Sequence, residues 1–232
     1  MERTGTFSSS SIYKLVKKGR SSEFSAPGVN YIREKSYEIR LQRELQSDHS
    51  GRATSWGTLV EKRAFDLLPL SLRLESKTRY KHPELMWSGA PDIISEDLSG
   101  DIKCPYTLKS FCEMVDIIET KDPEIFKAEK PEYYWQLVSN AILTGFDTAL
   151  FVVYVPFEDE LSIIRELAEN YDGDQNKVAW IGWAQDSDLP YLVEDGIFKN
   201  INSWKFEVPQ EDKDFLTRRV ELAQVELEKL LK

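Results

Sequence analysis

Ser88-Gly89-Ala90-Pro91-Asp92-Ile93-Ile94, a polar turn across Glu96 to Gly100, then Asp101-Ile102-Lys103-Cys104-Pro105: this stretch decides how the chain is read. It has the pattern of two strands joined by a turn. Ile93 and Ile94 close the first strand, and Asp97, Ser99 and Gly100 bring turn chemistry. Side chains alternate along the second strand. Asp101 and Lys103 therefore share one face and Ile102 takes the other. If the hairpin pairs in this way, Asp92 lies across from the charged face, and two carboxylates and one ammonium converge.

Two carboxylates within a few ångströms repel, and one of them normally takes up a proton. A divalent cation removes that conflict. Hard oxygen ligands on a short hairpin suit magnesium or manganese, which keep several waters and bind through few carboxylates. Lys103 is then placed to orient or activate a water. The same spacing also describes an exposed hairpin with a surface ion pair, in a chain of which 30% is charged. The pattern leaves both readings open.

Composition narrows the field. The 232 residues fit one large domain, and 41% hydrophobic content with six tryptophans argues for a folded chain. No apolar run is long enough for a membrane helix, since Ala149 to Val155 is only strand-length. Ser8 to Ser11 stand where a signal peptide needs an apolar run, so a cytoplasmic location is expected. Cys104 and Cys112 are the only cysteines, which excludes a zinc ribbon or a four-cysteine iron–sulfur cluster built from this chain alone. With His49 and His82 the only histidines, any metal must be held mainly by oxygen.

The net charge of −10 argues against coating nucleic acid by bulk charge. The charge is uneven, however. Bases outnumber acids from Arg3 to Arg43, and acids dominate from Glu158 to Asp195. A basic end and an acidic flank are expected.

Periodicity sets out the remaining elements. Ser8 to Ser11 offers an N-cap to a short helix carrying Ile12, Leu15 and Val16. A serine-rich loop leads to a long helix from Val29 to about Gln46, and Asp48 to Thr54 is a polar linker. Ser55-Trp56-Gly57 opens a helix that buries Leu59, Val60, Ala64, Leu67 and Leu68, with Glu61 near that face. A strand over Thr78 to His82 leads into the hairpin. Leu108 to Thr120 reads as helix and Lys121 to Glu129 as a polar loop. Pro131 starts a helix that contains Gln136 and stops at Gly145.

Ala149 to Val155 reads as a strand covered on both faces. An acidic helix over Glu158 to Tyr171, a strand over Val178 to Trp183 and an amphipathic helix within Glu207 to Lys232 complete the chain. The order predicts one α/β domain, a mixed sheet flanked by helices, with the hairpin at its centre. Its parts are a basic helical stretch (1–54), a core (55–156) and an acidic C-terminal part (157–232).

Gly89-Ala90-Pro91-Asp92 followed by Asp101-Ile102-Lys103-Cys104-Pro105-Tyr106-Thr107 resembles the lambda exonuclease and YqaJ-type viral recombinase family of PD-(D/E)XK nucleases. The Lys-Cys-Pro continuation is the most specific part. Trp56-Gly57 with Glu61 resembles the family's Trp-Gly-x-x-x-Glu helix. Tyr133 and Gln136 resemble its Tyr-x-x-Gln helix, and Arg3 to Ser10 resembles its N-terminal phosphate-holding segment.

The resemblance runs from Arg3 to about Pro156 and implies a restriction-endonuclease-like core. It implies a magnesium-dependent (or manganese-dependent) 5′→3′ exonuclease on double-stranded DNA ends, with two ions per site. Asp92, Asp101 and the Ile102 backbone carbonyl would hold one ion and Glu61 would help hold the second. Lys103 would serve the attacking water and Gln136 would position it, with Tyr133 behind. Arg3 and Ser10 would bind the 5′-phosphate.

A homo-oligomer, in the form of a trimeric ring, and a single-strand annealing partner follow from the same analogy. A structure- or sequence-specific endonuclease and a non-catalytic DNA-end-binding protein are the alternative functions.

Overall fold

A computed structural model describes residues 4–45, 51–74 and 78–232 of the chain. Strand β1 (Phe7–Ser8) runs into a 3₁₀ helix (Ser9–Leu15), followed by α1 (Ala26–Leu41) and α2 (Arg52–Leu67). Three short strands come next: β2 (Tyr80–Lys81), β3 (Trp87–Gly89) and β4 (Ile93–Ile94). β5 (Leu98–Lys103) leads to α3 (Leu108–Thr120), α4 (Pro123–Glu129) and α5 (Pro131–Thr144). β6 (Thr148–Tyr154), α6 (Leu161–Glu169), α7 (Gln175–Trp183), β7 (Ile201–Glu207) and α8 (Gln210–Leu231) complete the order.

The strands form two sheets, β1-β3-β2 and β4-β5-β6-β7. β6 is interior, parallel to β5 and antiparallel to β7. Its alternation divides the core. Ala149, Phe151 and Val153 pack on one face with α3, α4, α5 and α8 residues such as Phe111, Phe126, Tyr134 and Leu216. Leu150, Val152 and Tyr154 pack on the other with Trp56, Val60, Ile164 and Ile181 of α2, α6 and α7. A seven-residue strand with every position after Thr148 buried is thus covered on both faces, as its unbroken apolar run predicts.

The hairpin forms, with Ile93 opposite Gly100 and Ile94 opposite Ser99. It does not lie at the centre of the sheet: β4 is an edge strand and β5 alone is interior. Gly100 lets β5 lie against β6, because a Cβ there would stand 2.7 Å from the carbonyl oxygen of its β6 partner Leu150.

Three further expectations are corrected. Pro123–Glu129 is helix, not loop: Asp122 caps it by accepting from the Glu124 N–H, Pro123 starts it, and Phe126 is buried beneath it. Gln175–Trp183 is helix, not strand: Asp174 caps it, and Val178 and Ile181, three apart, face the core. The strand of that region is Ile201–Glu207, whose alternating Trp204 and Phe206 went unread. The N-terminal helix is 3₁₀, and Ser8 makes no side-chain cap. No helix among the described residues is long and apolar enough to cross a membrane.

Candidate active site

β4 is two residues long and β5 is six, so β5 runs past its edge partner. The Ile102 N–H on that uncovered edge donates instead to Asp92 Oδ2 at 2.9 Å. The Asp92 side chain thus takes the place of a strand. In an extended strand a residue's N–H and C=O point to the same edge, so the Ile102 carbonyl faces the same opening. Asp92, Ile102 and Glu61 line one cavity there, of about 300 Å³. Glu61, Ile102 and Lys103 line the adjoining one, of about 460 Å³, together with Tyr133.

Asp101 points the other way, onto α5, and is 1% exposed. Gln136 Nε2 donates to its Oδ1 at 2.8 Å, and Asn140 Nδ2 to its Oδ2 at 2.7 Å. Gln136 also accepts from Lys103 Nζ at 3.1 Å, and that ammonium stands 3.9 Å from Asp101 Oδ1. The Tyr133 ring faces the same ammonium at 5.3 Å. Gln136 therefore bridges acid and base with its two ends.

The hairpin register, continued by one pair, sets Asp92 opposite Asp101, and the Asp92 carboxyl acts on Asp101. Burial pushes the Asp101 carboxyl up to about 8; Lys103 opposes this shift, while Asp92 and Glu61 add to it. Burial also works against the Lys103 ammonium, but Asp101 and Asp92 outweigh it and hold its pKa above the usual lysine value. Burial drives the Cys104 thiol well above its ordinary range, which keeps it a thiol and a poor ligand.

Among the described residues no three or more His, Cys, Asp or Glu form a ready-made metal cage. The donors at hand are oxygens: Asp92, Asp101, the Ile102 carbonyl and, from the opposite helical layer, Glu61. That set fits a hard, hydrated cation, which needs only one or two carboxylates and keeps its waters.

Beside this centre lies a polar cavity of about 300 Å³, lined by Thr6, Ser8, Ser9, Ser10 and Ser88 with Lys35, Arg79 and Gln136. Ser10 is therefore near the site, linked to Ser8 by a 3.4 Å hydroxyl contact. Arg3 lies outside the described residues. Sequence reasoning missed Asn140 and Arg79. A signal existed for the first: it is the polar residue one turn after Gln136, between the buried Leu137, Val138 and Ala141. None existed for Arg79, which reaches Ser88 Oγ at 3.3 Å from a separate strand region.

No protein-family model matches the chain. No curated protein matches it either. Solved structures do. LHK-Exo in complex with dAMP is 18% identical, with a TM-score of 0.66 over 99% of this chain and 91% of that one. The alkaline exonuclease LHK-Exo from Laribacter hongkongensis gives 0.60 at 18% identity, over 98% and 92% of the two chains. A phage-related exonuclease from Haemophilus somnus 129PT gives 0.65 at 18% identity, over 97% and 95%. The chain has the α/β fold of these exonuclease structures, mixed sheets flanked by helices.

Proposed function

We propose that the chain is a divalent-cation-dependent 5′→3′ exonuclease on double-stranded DNA ends, releasing mononucleotides and leaving 3′ single-stranded overhangs. The observation that carries this reading is the convergence of Asp92 and Asp101, with Lys103 beside them, at the uncovered end of β5. The fold shared with exonuclease structures, one of them in complex with dAMP, supports the same reaction class. The direction of digestion rests on the sequence resemblance.

Magnesium or manganese would be held by Asp92, Asp101 and the Ile102 carbonyl, with Glu61 serving a second ion. Such ions, when bound, supply positive charge at the attacking and leaving oxygens of the phosphodiester and ease deprotonation of water. The rest is the work of the chain. Gln136 and Tyr133 hold the Lys103 ammonium in place. From there it orients the attacking water and offsets negative charge gathering on the phosphate. The hydroxyl-lined cavity with Ser10 receives the 5′-terminal phosphate, and Arg3 is assigned to the same role. Contacts to phosphate and sugar would place the duplex without reading its sequence. A trimeric ring around the duplex and a single-strand annealing partner complete the proposal.

The test is digestion of linear duplex DNA bearing 5′-phosphate or 5′-hydroxyl ends, with magnesium or with EDTA. Nucleotide release with magnesium, faster from phosphorylated ends, is expected. No magnesium-dependent release refutes the reading, and nicking of closed circular DNA replaces it with an endonuclease. Light scattering at low and high protein concentration decides the ring.

A further inference from the structure

Asn140 stands out among the polar groups around the site. It is 0% exposed, and its Nδ2 donates to Asp101 Oδ2 at 2.7 Å. Its other end, Oδ1, is buried and has no partner among the described residues. The orientation of the amide is fixed by this contact, because a flip would set oxygen against oxygen. Packing alone would be better served by leucine, which has the same shape and leaves no orphaned acceptor. What asparagine adds is an amide NH2, and it is directed at the most buried carboxylate of the site.

The backbone keeps room for it. A Cβ on Gly89 would stand 2.6 Å from Asn140 Oδ1 and 2.1 Å from Ser9 Oγ. Gly89 lies on β3, three residues before Asp92, so the same short segment that delivers Asp92 leaves space for the residue that fixes Asp101. Gln136 and Asn140, one helical turn apart, take one Asp101 oxygen each. Two donors in fixed positions lock the plane of the carboxylate, and each oxygen retains a second lone pair.

We infer that Asn140 is a positioning residue: it fixes the Asp101 carboxylate in the orientation that binds a divalent cation. The inference rests on the nuclease reading of the site. Partners that orient a ligand typically alter metal affinity by 10–100-fold when removed.

The experiment is calorimetric titration of the full chain with Mn²⁺ in the absence of DNA, on the parent, Asn140→Leu, Asp101→Ala and Ser139→Ala. Ser139 is the control: it is buried next to Asn140 and bonds Ser9 Oγ at 2.7 Å and Trp87 Nε1 at 2.8 Å, not Asp101. The expected result is Mn²⁺ binding by the parent, none at Asp101→Ala, about tenfold weaker binding by Asn140→Leu, and parental affinity in Ser139→Ala. With duplex DNA, Asn140→Leu should need about tenfold more magnesium for half-maximal rate, at unchanged KM for DNA.

Parental Mn²⁺ affinity in Asn140→Leu overturns the inference and leaves the nuclease reading standing. Equal weakening by Ser139→Ala also overturns it, since the loss would then come from the packing of α5. A parent that binds no Mn²⁺ overturns both. If Asn140→Leu does not fold, Asn140→Ser, which is smaller and cannot reach Asp101, is titrated in its place with the same expected and overturning results.

Discussion

Two buried polar clusters lie on opposite sides of the four-stranded sheet, and they are wired differently. On the α2 side, Glu160 meets one guanidinium: Arg63 Nε and Nη2 both donate to its Oε1, at 3.1 and 2.9 Å. Its Oε2 accepts from Asn200 and from the Phe157 N–H, each at 3.0 Å. Charge is matched one to one. Burial alone would raise the Glu160 carboxyl, but the Phe157, Asn200 and Arg63 donors hold it below its ordinary value. On the α5 side, Asp101 and Asp92 crowd one ammonium, with Glu61 close by, and Asp101 is pushed up to about 8.

The first cluster is complete as it stands. The second sets two aspartates around one ammonium, with the Asp101 carboxyl raised by burial. A closed pair serves the fold; on the nuclease reading proposed above, the second cluster serves a cation brought from outside.

The largest effect separates the two by activity. Asp92→Asn and Lys103→Ala should each cut magnesium-dependent hydrolysis about a thousandfold or more, measured as nucleotide release from linear duplex. Glu160→Gln should leave the rate per folded molecule unchanged. Wild-type rates in Lys103→Ala would remove that residue from the chemistry.

Stability should move the other way. Glu160→Ala leaves the Arg63 guanidinium and two donors without their acceptor, and is expected to lower unfolding free energy by about 2 kcal/mol in urea titrations. Asp92→Asn replaces a repelling carboxyl with an amide able to donate to Asp101, and is expected to gain about 1 kcal/mol in EDTA. A destabilised Asp92→Asn would show that the carboxyl pair is structural after all.

The balanced cluster also predicts a pH signature. The folded Glu160 pKa is lowered, so its contribution is fully present above the unfolded value and is lost as pH falls through the folded one. Stability should therefore drop below about pH 4.3, and Glu160→Gln should flatten part of that drop. An identical acid limb in the variant would dismiss Glu160 as a source.

The same contrast explains how far the sequence could be read. The β4–β5 hairpin was legible because its side-chain period is two and its turn residues fix the register, which sets Asp92 opposite Asp101. β6 was legible from its unbroken apolar run. Gln136 and Glu61 came from resemblance, since spacing cannot place a helix residue against a strand 35 or 40 positions away. The edge position of β4 was not legible, because it depends on what β7 and the helices cover. Val178 to Trp183 misled because a short apolar run fits a buried helix as well as a strand, and the capping Asp174 was the deciding signal. The Glu160 cluster was invisible, because its partners Arg63 and Asn200 lie 97 and 40 residues away and are joined only by the fold.

The smallest effect tests the contact that sets Lys103 apart from Arg63. Arg63 is gripped by a carboxylate at 2.9 Å, whereas Lys103 bonds the Gln136 amide oxygen at 3.1 Å and faces the Tyr133 ring at 5.3 Å, with the Asp101 carboxyl standing farther off at 3.9 Å. A ring face holds an ammonium without neutralising it, which leaves the charge available to the substrate. That contact is worth about 0.5–1 kcal/mol, so Tyr133→Leu should lower kcat by about two- to fivefold. Tyr133→Phe, which keeps the ring and loses only the hydroxyl, should fall by less than about twofold, because a phenyl face retains most of the attraction. Single-turnover rates on linear duplex at saturating magnesium measure both. An equal loss in the two variants would assign the role to the hydroxyl, and Lys103 would then be held, like Arg63, by polar contacts alone.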